Sequence, residues 1–155
     1  MSILGIDDIA PAFELSTNND GTLKLSDLKS KIVVLYFYPK DMTPGCTTES
    51  QDFRDRFKDF EKAGAVIVGA SKDSVARHDK FVAKHDLPFV LVSDEDGTMC
   101  EDYGVWKLKK LYGREFMGIE RSTFIIDGNG IIRHIWRKVR VKGHVDEVLG
   151  VVQAI

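Results

Sequence analysis

The chain has 155 residues, 43% of them hydrophobic and 30% charged, with a formal net charge of −2. That length fits one domain, residues 1–155, able to bury roughly 70% of the surface its unfolded chain exposes. The near-neutral balance excludes the basic footprint of a nucleic-acid or anionic-membrane binder, and no apolar run approaches the ~18 residues of a membrane span.

The opening residues, Met1 to Asp8, carry neither a basic n-region nor an apolar h-region, so no secretory signal is expected. Phe13 to Leu15 and Thr22 to Leu25 alternate around Asn18-Asn19-Asp20-Gly21, the pattern of an N-terminal β-hairpin. Ser26-Asp27 can cap a single helical turn. Lys31 to Tyr38 is apolar almost throughout, as expected of a strand covered on both faces. A loop with Pro39 and Pro44 follows, then a helix that should run to about Lys62 and stop at Gly64. Ala65 to Ala70 is a second buried strand, completing a parallel βαβ unit.

Ser74 to His85 reads as an amphipathic helix halted before Pro88, Phe89 to Val92 as a strand, and Asp96-Gly97 as the entry to a short helix with Cys100 and Tyr103. Residues 104–120 read as a long loop. Its apolar members (Trp106, Leu108, Leu111, Tyr112, Phe116, Met117) are expected to pack on one another, and Lys107, Lys109 and Lys110 to form a solvated face that could also dock an acidic reductase. Ser122 to Ile126 and Ile131 to Trp136 flank Asp127-Gly128-Asn129-Gly130, a strong hairpin signal. A final helix carries Val145, Val148, Leu149 and Val152 on one stripe. The expected fold is α/β, a central mixed sheet with helices on both faces.

The chemistry concentrates at the join between the first core strand and its helix. Thr43 suits the N-cap and Pro44 the first helical position, where a missing N–H costs nothing. Cys46 then falls in the first turn, where unpaired amides and the helix dipole favour a thiolate. It shares a stripe with Phe53, Phe57 and Phe60, so the sulfur should lie on the core side, at the floor of a pocket. No Cys-x-x-Cys is present, and the four histidines (His78, His85, His134, His144) form no dyad or zinc spacing. They read as surface or packing residues, and Cys100 as apolar filler. Two cysteines, one reactive in setting, fit a reducing compartment, hence the cytoplasm.

Pro39-x-x-x-Thr43-x-x-Cys46, with Arg121 far downstream, resembles the active-site signature of the peroxiredoxins. Phe37 to Thr47, Ser93-Asp94, Tyr103 to Trp106, Tyr112 to Arg114 and Gly118 to Phe124 are similar to the bacterioferritin comigratory protein, or Q-type, subfamily over essentially the whole chain. The resemblance implies a thioredoxin-like fold with extra N-terminal elements and a thiol-dependent peroxidase that needs no cofactor. Its substrates would be hydrogen peroxide and organic hydroperoxides.

The resemblance also assigns roles. Cys46 would attack the peroxide and become a sulfenic acid, Thr43 would bridge thiolate and peroxide, and Arg121 would stabilise both thiolate and leaving oxygen. Pro39 would shield the sulfur. The amides of Cys46 and Gly45 would complete the cradle, and Glu49 would hold Arg121. Relatives carry a resolving cysteine five residues after the nucleophile, here Gln51, or in the following helix near Phe81 to Lys84, where none occurs. A one-cysteine cycle follows, with thioredoxin, a glutaredoxin or a low-molecular-weight thiol such as glutathione as reductant, in a monomer rather than a dimer. Two alternatives stay open: a two-cysteine cycle with Cys100 resolving, and a redox sensor or holdase chaperone using the same cysteine.

Overall fold

The computed structural model describes residues 4–155; the first three residues of the opening stretch lie outside it. The hairpin is β1 (Glu14–Thr17) against β2 (Gly21–Lys24), paired from Glu14 opposite Lys24 to Thr17 opposite Gly21. Its turn places Asn19 and Asp20 at positive φ, which Asn and Asp tolerate better than other side-chain-bearing residues. The Asn18 side chain accepts from the Leu91 amide at 2.9 Å and so ties the turn to the main sheet.

The core strands are β3 (Ile32–Phe37), β4 (Ala65–Ser71) and β5 (Val90–Ser93). They run parallel, β3 beside β4 and β4 beside β5. Parallel neighbours need crossover connections. These are α1 (Pro44–Asp55) with α2 (Phe57–Lys62), and then α3 (Val75–His85). The helix expected to reach Lys62 is thus two helices, broken at Arg56 (φ −105, ψ 6), whose side chain reaches Asp146 at 2.9 Å. Ser74 caps α3 by accepting from the Arg77 amide. After the one-turn α4 (Met99–Asp102), the antiparallel strands β8 (Ser122–Ile126) and β9 (Ile132–Trp136) complete a seven-stranded sheet in the order β2-β1-β5-β4-β3-β8-β9. The terminal helix spans His144–Gln153.

The expected 104–120 loop is a correction. It is a separate two-stranded ribbon, β6 (Trp106–Leu111) against β7 (Arg114–Ile119), in register from Trp106 opposite Ile119 to Leu111 opposite Arg114. Tyr112 and Gly113 close it with φ of 51° and 76°, the left-handed pair of a tight hairpin turn. Much of both faces meets solvent, so no alternation of apolar and polar residues marks the strands. Its apolar side chains form no buried cluster of their own: Leu108, Leu111, Phe116 and Met117 are exposed, Tyr112 is 95% exposed, and Trp106 packs against the main core.

Strand periodicity divides the core in two. Val34, Tyr36 and Tyr38 point to one face and pack with Cys46, Phe53, Phe60, Phe81, Val145 and Val148, from helices α1, α2, α3 and the terminal α5. Val33, Leu35 and Phe37 point to the other, against Met99, Cys100, Tyr103 and Val105. Helices therefore cover both faces, unequally. Phe53 stacks on Tyr36 with ring centroids 4.5 Å apart, and the Tyr36 hydroxyl meets Ser50 Oγ at 2.8 Å. Such a stack adds about 0.5–1.5 kcal/mol beyond its buried area. It seats α1 on β3, fixing where the helix begins.

Candidate active site

Beyond Phe37 the chain stays buried through Tyr38, and half-buried Pro39 opens the loop. Asp41 turns inward, Met42 adopts φ 68°, and Thr43 takes the extended conformation of an N-cap. Pro44 is the first helical residue, so Cys46 is the third, and the Thr47 amide makes an early helical bond to Thr43 O at 2.9 Å. The amides of Gly45 and Cys46 head the helix ahead of it. The Thr43 hydroxyl is not the cap that the sequence suggests. It donates to Lys40 O at 2.8 Å and closes the loop on itself. With its proton committed there, the oxygen is left as an acceptor.

Cys46 is 1% exposed, so the sulfur lies on the core side as expected. Two apolar clefts, of about 450 Å³ beside Phe57 and Phe89 and about 370 Å³ beside Leu28 and Val33, lie away from the sulfur. Arg121, at the entry to β8, reaches it from 75 residues downstream: Nη2 donates to Sγ at 3.3 Å. The other arm, Nη1, donates to Glu49 Oε1 at 2.6 Å. Glu49 follows Cys46 by three residues, so the two lie on one helix face within reach of a single guanidinium. Gly45 admits that guanidinium, since a Cβ there would stand 3.2 Å from Nη2. The Val139 amide, bonded to Arg121 O at 3.0 Å, fixes the arginine backbone.

The electrostatics are those of a charge held in a dry place. Burial pushes the Glu49 carboxyl up to about 7, against the pull of Arg121. Its Oε2 has no hydrogen-bond partner among the described residues. Burial works against the Arg121 charge, but Glu49 and Cys46 outweigh it and raise its affinity for the proton. Lys109 of the ribbon is half-buried rather than solvated, and burial together with Arg121 lowers its proton affinity while Cys46 opposes. Lys109 of the ribbon therefore shares the electrostatic field of the site, which the sequence did not reveal.

Cys100 is fully buried on the opposite face of the sheet from Cys46. Burial and then Asp94 push its thiol far up, and its amide is bonded to the same carboxylate at 2.8 Å. Gln51 points at α3, its amide 3.3 Å from His85 Nδ1. His85 and His134 are packing residues, against Phe81 and Trp136. His78 and His144 are not surface residues. Both are buried in hydrogen bonds, His78 with Asp41 and Val92, His144 with Thr123. No spacing in the sequence signals either.

Asp41, Asp73 and His78 place ligand-type atoms within 4.8 Å of one another. Each is already engaged, by Tyr38, Ser71, Arg77 or one another, so they form a closed hydrogen-bond network rather than an open cation cage. Among the described residues no helix is long and apolar enough to cross a membrane.

Comparison with known proteins shows the family. The AhpC/TSA family model matches residues 6–135. The chain is 56% identical over 140 residues to Peroxiredoxin Bcp of Bacillus subtilis, covering 90% of this chain and 89% of that one. It is 40% identical to Peroxiredoxin Bcp of Escherichia coli K12 over 96% of both. Among solved structures, the bacterioferritin comigratory protein of Xanthomonas campestris, determined in connection with its alkyl peroxide reduction activity, superposes with a TM-score of 0.88 at 46% identity, covering 92% of this chain and 90% of that one. A PrxQ mutant of Xylella fastidiosa gives 0.94 at 40% identity, over 99% and 98%.

Proposed function

The chain belongs to the AhpC/TSA family, as a peroxiredoxin of the bacterioferritin comigratory protein group, and from that premise we propose that it reduces hydroperoxides by a one-cysteine cycle centred on Cys46. The carrying observation is the Arg121 fork, one arm on Cys46 Sγ and the other on Glu49. The Cys46 thiolate attacks the terminal oxygen of the peroxide. An S–O bond forms, the O–O bond breaks, and the departing oxygen takes a proton to leave as water or an alcohol, with cysteine oxidised to sulfenic acid. Arg121 is aimed where that negative charge develops, and a fixed donor in a dry site outweighs the same donor in water. Thr43 Oγ1, with its own proton on Lys40 O, accepts the O–H of the incoming hydroperoxide. Pro39 screens the loop, and the amides of Gly45 and Cys46 add donors at the helix end.

The opposite-face burial of Cys100 supports the one-cysteine reading, because a Cys46–Cys100 disulfide would have to form across the sheet. The sulfenic acid then meets an outside thiol: a mixed disulfide forms with loss of water, and a second thiol frees Cys46. Thioredoxin, a glutaredoxin or a small thiol such as glutathione supplies these electrons, to a monomer in the cytoplasm, where unpaired cysteines stay reduced.

Two measurements test this. One equivalent of hydrogen peroxide added to the reduced protein should add one oxygen atom at Cys46, read by intact mass and peptide mapping. Loss of two hydrogens with a Cys46–Cys100 crosslink would replace the scheme with a two-cysteine cycle, and Cys46→Ser retaining peroxide consumption would sink the assignment of the nucleophile. Separately, Cys100→Ala should turn over with an external thiol at the wild-type rate, within about twofold, as expected of a residue outside the chemistry.

A further inference from the structure

The loop that presents Cys46 is held at one residue from four directions. Asp41 Oδ1 accepts from the Tyr38 hydroxyl at 2.5 Å and Oδ2 meets His78 Nδ1 at 2.7 Å. Its amide donates to Asp73 Oδ2 at 2.7 Å, and its carbonyl accepts from Arg77 Nη2 at 3.3 Å. Asp73 is fixed in turn by Arg77 Nε at 3.1 Å and the Ser71 hydroxyl at 2.7 Å. Every polar group of Asp41 thus answers to the end of β3, the end of β4 or α3.

His78 is fully buried. Its side chain and that of Asp41 are both 0% exposed. Nδ1 faces the Asp41 carboxylate and Nε2 faces Val92 O at 3.0 Å, so both ring nitrogens meet acceptors. Removing either partner leaves a buried polar group unsatisfied, so the contact is costly to break.

Beyond Asp41, the chain is next fixed to the core by packing of Cys46 itself and then by Ser50 and Phe53 through Tyr36. Between Asp41 and Cys46 lie Met42 at positive φ and the N-cap, and Arg121 ties Cys46 to the start of β8. A left-handed Met persists only where its surroundings over-determine it.

We propose that Asp41 and His78 are a positioning pair that latches the nucleophile loop closed and so sets how readily Cys46 meets an outside thiol. The inference rests on the outside-thiol cycle proposed above. Its test reads Cys46 accessibility, which does not depend on peroxidase activity.

The test uses three variants of the full chain. His78→Asn offers an amide where Nδ1 stands and keeps a donor toward Asp41. His78→Gln offers one where Nε2 stands and keeps only the contact to Val92. His78→Leu removes both. Alkylation of Cys46 in the folded, reduced protein by N-ethylmaleimide, followed by peptide mass, should quicken about tenfold or more in the Leu and Gln variants, the factor for losing a charge-assisted hydrogen bond. The Asn variant should stay near wild type, and single-turnover peroxide rates should fall in the same order. Equal rates for Asn and Gln, whether fast or slow, would overturn the latch. So would rates that merely track melting temperature across the set. If His78→Leu does not fold, the Asn and Gln pair still decides the outcome. Cys46→Ser retaining peroxide consumption would refute the nucleophile assignment and leave the alkylation result standing.

Discussion

Arg121→Ala should slow the oxidation of Cys46 by peroxide by about 10²–10³-fold, the usual loss when a fixed donor to developing charge is removed. Two effects combine. The donor 3.3 Å from Sγ disappears, and with it the charge that faces the departing oxygen. Glu49, whose side chain is 0% exposed, also loses its counter-charge and must sit as a neutral acid or draw water into the turn. Arg121→Lys separates the two. A single ammonium restores a positive charge but cannot span Sγ and Oε1 together as the planar fork does. It should recover most of the stability and only part of the rate. Single-turnover oxidation at several peroxide concentrations, with melting curves on the same samples, makes the comparison. A rate for Arg121→Ala within threefold of wild type would mean that the fork does not act on the reaction, as expected of a slow redox sensor using the same cysteine.

The parts of this site legible in the sequence are those encoded locally. The join of β3 to α1 could be read because an apolar run, two prolines and a phenylalanine stripe all lie within thirty residues or so. The position of Cys46 in the first helical turn follows from Pro44 alone. Arg121 is different: nothing within its own neighbourhood marks it, and only the resemblance to a known family brought it to Cys46. The Asp41–His78 contact spans 37 residues between a loop and a helix, and each residue alone looks like an ordinary polar group. Burial of that pair is a product of tertiary packing, which periodicity does not report. The 106–119 ribbon was missed for the opposite reason. It has too little buried surface to impose a pattern, and its turn uses Tyr112 at positive φ where Asn or Gly would have announced it.

Two buried titrations should oppose one another in the pH dependence of stability, so the wild-type profile will hide both. The folded state raises Glu49 from an ordinary 4.5 to about 7 because burial disfavours its charge. The folded chain then holds a proton that the unfolded chain releases, so this contribution is intact below pH 4.5 and is lost as pH rises through 7. Between about pH 5 and pH 8 it should cost about 2–3 kcal/mol. His144 runs the other way. Burial lowers it from 6.5 to about 4, so the unfolded chain takes up the proton first and stability falls as pH drops below 6.5. At pH 5 that amounts to about 2 kcal/mol. Urea unfolding at the two pH values, in a Cys46→Ser background so that thiol ionisation does not enter, should therefore show little net change from these two groups. Adding Glu49→Gln leaves His144 unopposed, and stability should rise with pH. Adding His144→Gln leaves Glu49 unopposed, and stability should fall. Profiles that stay parallel in all three proteins would show that neither group titrates in this window, and would mean that Glu49 keeps its charge through its bond to Arg121.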